Sequence, residues 1–448
     1  MSENLESFSL LWLDRSVNAS QENIAAQSKL RAIINHLKTF EKAEECEKYI
    51  RKCPETDRIV LIVSGGLGQQ IVPQIDQLPQ LSSIYVYCMD EKKNREWSKN
   101  HPKVKHVLAS LPKLIHQIES DQIRKDNTEE SSPISVSETN KPTDRSSIGL
   151  TSRYVYSRLL IEELIRMKPK SEDKEKFISL CEKQYQGNET QLKYLKEFQD
   201  KYTPDNAIRW YTKKSFVYRI LNKALRVQNV QLLYLFRFFI RDICHQLEKY
   251  QCSTPVTVYR VQSISHDELQ GLKRSIGKLI AMTSFVSTSL DQERALKFRD
   301  NNSDLPQVCF EIYADPKVES IKPFANITSL SKYKKEQEIL FMLGSIFQLL
   351  DVREEKFQDQ KPIWMVRMTL CSDNNHSVKT SFQEMKNEIF GDNHEPNKFS
   401  FGILLEKMHK LEDAEMYYLS LLDELDPNHS DILQCYFILG SLAWKRGD

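Results

Sequence analysis

Through the first 120 residues, short apolar runs alternate with stretches of helical periodicity. Ser9–Leu13, Ile59–Val63 and Ile84–Cys88 are almost continuously apolar, as strands covered on both faces are, and Ile24–Leu37 spaces its apolar residues as one face of a helix. This alternation predicts an open parallel sheet, a doubly wound α/β domain over 1–120. From 121 to 150 large apolar residues nearly vanish and Ser, Thr, Asn, Glu and Pro take over, so the stretch reads as a disordered linker unable to offset its own ordering entropy. Helical spacing returns from Arg153 to Tyr250, with Leu159, Leu160, Leu164 and Ile165 on one face and later Phe216, Ile220, Leu221 and Leu225. The period then changes to that of strands at Val256–Val261, Phe285–Ser289, Val308–Tyr313, Ile339–Leu350 and Ile363–Leu370, which makes 151–395 a separate α+β domain. The last segment, 398–448, is helical again. Phe401–His409 and Asp413–Leu425 form a pair closed by Pro427, and Asp431–Trp444 follows.

Composition narrows the function classes. The chain has 448 residues, 40% hydrophobic and 28% charged, an ordinary globular balance for about three domains. Lys+Arg (63) and Asp+Glu (62) cancel to +1, which supplies no general field for nucleic acid or an anionic membrane surface. The acidic start Met1–Glu6 lacks the basic, apolar pattern of an export signal, and Arg237 and Ser345 interrupt the longest apolar runs, so a cytoplasmic protein is expected. Nine scattered cysteines with no C-x-x-C spacing read as reduced core thiols, and no Cys/His spacing suits a metal.

Two features of the first domain have plain readings. Gly65-Gly66-Leu67-Gly68 follows a strand where a dinucleotide fingerprint would sit, but position 71 is Ile, and a tight turn is the simpler reading. Asp14 ends the first strand, where flavodoxin-like and receiver-like sheets put functional groups; a helix or turn cap is the simpler reading. This domain is expected to regulate or to bind a partner. Leu411-Glu412 and Gly447-Asp448 fall at equivalent turns about 36 residues apart, so the C-terminal helices resemble one tetratricopeptide repeat and half of the next. Such a pair either continues in a longer protein or docks on the preceding domain and offers a surface to a protein partner; an unrelated helical cap is the alternative.

The informative chemistry lies in three segments: Thr257–Gln262 with Arg260, Ser284–Ser289 with Ser287, and Lys335–Phe341 with Glu336 and Glu338. Singly, each is a surface cation, a polar strand edge or a solvated turn. Together and in this order, they resemble the R-S-E-x-E mono-ADP-ribosyltransferases, over about 202–372. The flanking residues extend the likeness: the helix Leu232–Leu247, Phe285 before the Ser-Thr-Ser run, Ala295 and Phe298 after it, and Ile339-Leu340-Phe341 after the second Glu. The resemblance implies a central α+β ADP-ribosyltransferase fold, with NAD+ or NADP+ as the dinucleotide and no metal. It makes Glu338 the catalytic carboxylate, Arg260 the holder of the cofactor's phosphate, Ser287 the support of the site, and Glu336 part of the target-recognition loop with Tyr333. Gln262, Thr288, Ser289 and Phe298 complete the implied cofactor contacts.

Elementary chemistry agrees. Breaking the nicotinamide–ribose bond makes the sugar carbon cationic, and a carboxylate such as Glu338 stabilises that charge as it develops. Arg260 supplies a planar fork of donors suited to phosphate. On an extended chain Glu336 and Glu338 face the same side, and a carboxylate at 336 suits a guanidinium acceptor, which must lose a proton on attack. Arginine side chains of proteins are therefore the expected target. Val261, where the family usually has Gly, is a departure that puts cofactor affinity in question, and Lys332, Lys334 and Lys335 make the recognition loop basic. Two alternatives keep the same residues: an NAD glycohydrolase with water as acceptor, and an inactive scaffold.

Overall fold

The computed structural model describes residues 4–55, 57–128, 134–136, 152–213, 215–299, 305–332, 337–356, 362–372, 382–384, 386–387, 389–390 and 397–447. In the first domain β1 (Phe8–Leu13), β2 (Leu37–Phe40), β3 (Arg58–Ser64), β4 (Leu81–Tyr87) and β5 (Val104–Leu108) pair in parallel, in the order β2-β1-β3-β4-β5. Alternate side chains leave the sheet on opposite faces. Leu11, Leu61 and Val63 pack on α2 (Ala43–Lys52) and α3 (Gly65–Ile75), while Leu10, Trp12 and Ile62 pack on α1 (Gln21–Ile33) and α5 (Leu111–Thr128). The tight turn expected at 65–68 is instead the first turn of α3. A Cβ on Gly65 would lie 2.6 Å from the Asn94 side chain and one on Gly68 3.2 Å from Trp97, so these glycines let α3 approach α4 (Glu91–Ser98). Asp14 caps its own turn, its carboxylate accepting from Ser16 N and Oγ, each at 2.7 Å.

The segment expected to be a linker begins inside α5, which runs to Thr128, and Ile134–Val136 forms β6, paired antiparallel with the second domain. Its apolar–polar–apolar alternation suits an edge strand, a signal submerged in the polar residues around it.

The second domain opens with a helical lobe: α6 (Ser152–Arg166), α7 (Ser171–Gln184), α8 (Glu189–Lys201), α9 (Ala207–Thr212), α10 (Phe216–Val227), α11 (Val230–Leu235) and α12 (Arg237–Lys249). Then come β7 (Val256–Ser263), α13 (His266–Arg274), β8 (Leu279–Met282), β9 (Val286–Ser289), α14 (Gln292–Leu296), β10 (Gln307–Ala314), β11 (Phe324–Asn326), β12 (Glu338–Phe341), β13 (Ile346–Glu355) and β14 (Ile363–Leu370). The run expected as one strand from Ile339 to Leu350 is two, broken at Gly344, whose φ of 81° suits only a residue without Cβ. The nine strands lie in the order β11-β12-β9-β7-β10-β14-β13-β8-β6. One contact is thin: β7 and β9 share a single residue pair, Tyr259 with Ser289. The sheet therefore forks there.

A polar seam joins the two domains. The buried Glu6 carboxylate accepts from Tyr185 Oη at 2.5 Å and Arg219 Nε at 2.9 Å. Lys223 donates to Asn4 O at 2.7 Å and lies 3.3 Å from Asp57, and Asn188 donates to Asn35 Oδ1 at 2.9 Å. Asn4, Glu6, Asn35 and Asp57 all precede strands, so the first sheet docks through the starts of β1, β2 and β3.

The C-terminal helices α15 (Ser400–Lys407), α16 (Leu411–Glu424) and α17 (Asp431–Arg446) continue the chain. Phe401, Leu404, Tyr417 and Tyr418 share one core with the helical lobe. The outer side of α17 stays open, with Leu433, Phe437 and Trp444 about four-fifths exposed (79%, 79% and 80%). All nine cysteines are free; Cys46, Cys181, Cys244, Cys309 and Cys435 are buried, whereas Cys53, Cys88, Cys252 and Cys371 are half-buried rather than in the core. Burial pushes the Cys46 thiol up to about 12. Among the described residues no helix is long and apolar enough to cross a membrane, and no group of three His, Cys, Asp or Glu side chains is placed to hold a metal ion.

Arg237, which interrupts an apolar run, is 1% exposed, with Nη2 2.7 Å from Asp173 Oδ2 and Nη1 donating to Tyr234 O at 2.7 Å. Asp173→Asn leaves this guanidinium buried without its counter-charge and is expected to cost about 3 kcal/mol or more, read from denaturant unfolding. His36 faces the seam. Burial first, then Lys223, Lys38 and Arg31, hold its imidazole below the ordinary 6.5. The unfolded chain thus binds more protons here, so stability is level above pH 6.5 and declines as pH falls through that value. His36→Gln is expected to make the decline shallower in thermal unfolding across that range.

Candidate active site

Catalytic candidates from three strands meet at the fork. Glu338 opens β12 opposite Ser289, and Ser287 stands diagonally across on the same face of β9. Ser287 Oγ donates to Glu338 Oε1 at 2.5 Å, and Ser331 Oγ approaches Oε2 at 3.4 Å. Both carboxylate oxygens are thereby oriented, and Glu338 is only 7% exposed. From β7, Arg260 Nη1 donates to Ser287 O at 2.9 Å, bridging the gap that the single strand pair leaves, while its Nε donates to Gln262 Oε1 at 3.2 Å. Hydrogen bonds thus run from Gln262 through Arg260 and Ser287 to Glu338.

Arg260, Ser287 and Glu338 border an open cleft, also lined by Tyr259, Val261, Thr288, Ser289, Arg294, Ala295 and Phe298 from the strands and α14, and by Tyr211, Thr212 and Tyr218 from the helical lobe. Gln262 is buried and does not line it; two residues on from Arg260, it shares that residue's face and orients it. Thr288 Oγ1 donates to Ile339 O at 2.8 Å and Ser289 Oγ accepts from Asp291 N at 3.1 Å, so both hydroxyls serve the local backbone. Val261 packs with Ala295, Cys309, Ile363 and Met365 in a small core under α14. Tyr333 and Glu336 lie outside the described residues, as do Lys334 and Lys335. Gln337 has a φ of 44°, so the extended chain expected over 336–338 turns left-handed just before β12. Its carbonyl accepts from Leu290 N at 3.1 Å, which holds that turn against β9. Lys332 N donates to Thr212 Oγ1 at 3.0 Å.

Residues 183–375 match the model of the ADP-ribosyltransferase exoenzyme family. The matched stretch contains Arg260, Ser287 and Glu338, and the family's chemistry uses NAD+ as the ADP-ribose donor. Among solved structures, the Plx2a toxin of Paenibacillus larvae is 17% identical, with 41% of this chain and 96% of that chain covered and a TM-score of 0.30. Vis toxin of Vibrio splendidus is 19% identical over 48% and 92%, with a TM-score of 0.31. Exoenzyme S of Pseudomonas aeruginosa, solved with human 14-3-3 protein beta and carba-NAD, is 16% identical over 49% and 92%, with a TM-score of 0.29. No curated protein matches the chain.

The cleft also has lining residues that sequence reasoning missed. Tyr211, Thr212 and Tyr218 sit on helices whose apolar spacing reads as ordinary core, and nothing local distinguishes them. Ser287→Ala removes the donor to Glu338 Oε1. NAD+ cleavage is expected to fall roughly tenfold to a hundredfold in kcat with KM little changed, measured by nicotinamide release.

Proposed function

We propose that the protein transfers ADP-ribose from NAD+ to arginine side chains of target proteins and releases nicotinamide. The observation that carries this reading is the Glu338 carboxylate, buried at the sheet fork and oriented by Ser287 beside Arg260. As the bond between nicotinamide and ribose lengthens, its electron pair leaves with nicotinamide and positive charge grows on the sugar carbon. Glu338 meets that charge while accepting a hydrogen bond from a ribose hydroxyl, an interaction that strengthens toward the transition state. A guanidine nitrogen then attacks the sugar carbon, and its proton passes to a carboxylate. The role of Glu336 as the residue that receives the arginine rests on the Glu336-Gln337-Glu338 motif. Val261, packed into the core under α14, does not remove the cleft.

The flanking parts read as recruitment surfaces: a flavodoxin-like or receiver-like first domain, and a tetratricopeptide-like pair in α15 and α16. Gly402 supports the second reading, because a Cβ there would come within 2.2 Å of the Tyr418 ring at the helix crossing.

Incubation with labelled NAD+ and a protein extract tests the proposal. Wild type is expected to label protein on arginine. Glu338→Gln should lose transfer and nicotinamide release by roughly a hundredfold or more. Glu336→Gln should lose arginine labelling but keep most NAD+ hydrolysis. Free ADP-ribose with no labelled protein would make the enzyme a glycohydrolase instead.

A further inference from the structure

The helix α10 serves two places at once. Arg219, Lys223 and Arg226, spaced i, i+4 and i+7, share one of its faces and meet the first domain. Arg219 Nε donates to the buried Glu6 carboxylate at 2.9 Å, Lys223 Nζ to Asn4 O at 2.7 Å, and Arg226 Nη2 to Ser7 Oγ at 2.8 Å. Arg219 Nη2 also donates to Gln191 Oε1 on α8 at 3.2 Å, so its guanidinium is held from both sides. Tyr218, the residue before it, lines the cleft. The Tyr218 ring lies 5.0 Å from that of Tyr211, a second lining residue, whose hydroxyl donates to Asn222 Oδ1 on α10 at 3.3 Å. Two side chains of the cleft wall therefore take their places from the helix that the first domain grips.

We propose that the first domain sets the affinity of the cleft for NAD+ by fixing α10, with Arg219 as the positioning residue that links Glu6 to Tyr218. This rests on reading the cleft as the NAD+ site. Residues 218 and 219 share one helical turn, whose backbone hydrogen bonds make it stiff, so a displacement of Arg219 carries Tyr218 with it. A shift of about 1 Å in a wall residue is enough to weaken a fitted ligand contact. The catalytic hydrogen bonds among Arg260, Ser287 and Glu338 lie on the strands and do not pass through α10.

The test is a double-mutant cycle on the full chain, combining Glu6→Gln with Tyr218→Ala and reading nicotinamide release from NAD+, with thermal unfolding as the check on folding. Glu6→Gln alone is expected to raise KM for NAD+ about threefold to tenfold while kcat stays within about twofold. In the Tyr218→Ala background the same change should lower the unfolding temperature as before but leave KM almost where it was. A structural role alone would not separate the two readouts. If Glu6→Gln does not fold, Ser7→Ala, which removes only the partner of Arg226, should move KM in the same direction by less. An unchanged KM in a folded Glu6 variant would overturn the proposal, as would an equal rise in both backgrounds or a loss confined to kcat. A folded wild type that neither binds nor cleaves NAD+ overturns the reading of the cleft itself, before any variant is compared.

Discussion

The cleft depends on the incomplete pairing of β7 with β9. A fully laddered sheet would satisfy its own backbone groups and leave no opening between these strands. With a single residue pair between them, the strands diverge, and the Arg260 guanidinium spans the gap to Ser287 O. That one hydrogen bond has two effects: it keeps the fork from spreading, and it sets the strand segment from which Ser287 reaches Glu338. A carboxylate at 7% exposure needs such support, since a buried charge is costly unless donors meet it.

The buried parallel strands of the first domain were legible because each is apolar on both faces, as in Ile59–Val63. The short strands Leu279–Met282 and Phe324–Asn326 were not, because four and three residues hold too little alternation to stand out. Ile339–Leu350 read as one strand since both halves are buried and only Gly344 marks the break. In the site, the order Arg260, Ser287, Glu338 was readable as a motif, and the convergence of these residues follows from the β9–β12 register. The role of Gln262 was not readable, since period two puts it beside Arg260 without saying which of them meets the ligand. The turn at Gln337 was not readable either: a single left-handed residue just before β12 interrupts the extended chain, and no pattern of apolar positions announces it.

The domains are joined by charge and amide contacts more than by apolar surface. Glu6 meets Tyr185 and Arg219 across the seam and Lys223 meets Asn4 O and Asp57, so these contacts form only when the domains are together. β6 adds a backbone connection, because the strand that leaves the first domain pairs at the edge of the second domain's sheet. Charged pairs of this kind are stringent about geometry, since an imperfect fit leaves a desolvated charge unmet. The seam therefore defines a single relative placement.

Docking through the strand starts leaves the opposite rim of the first sheet, with Met89 96% exposed beside Asp90, directed outward. In open α/β sheets that rim is the end at which ligands are received. The rim therefore stays clear of the contacts that join the domains: whatever meets it need not loosen the seam, and the seam need not open to present it.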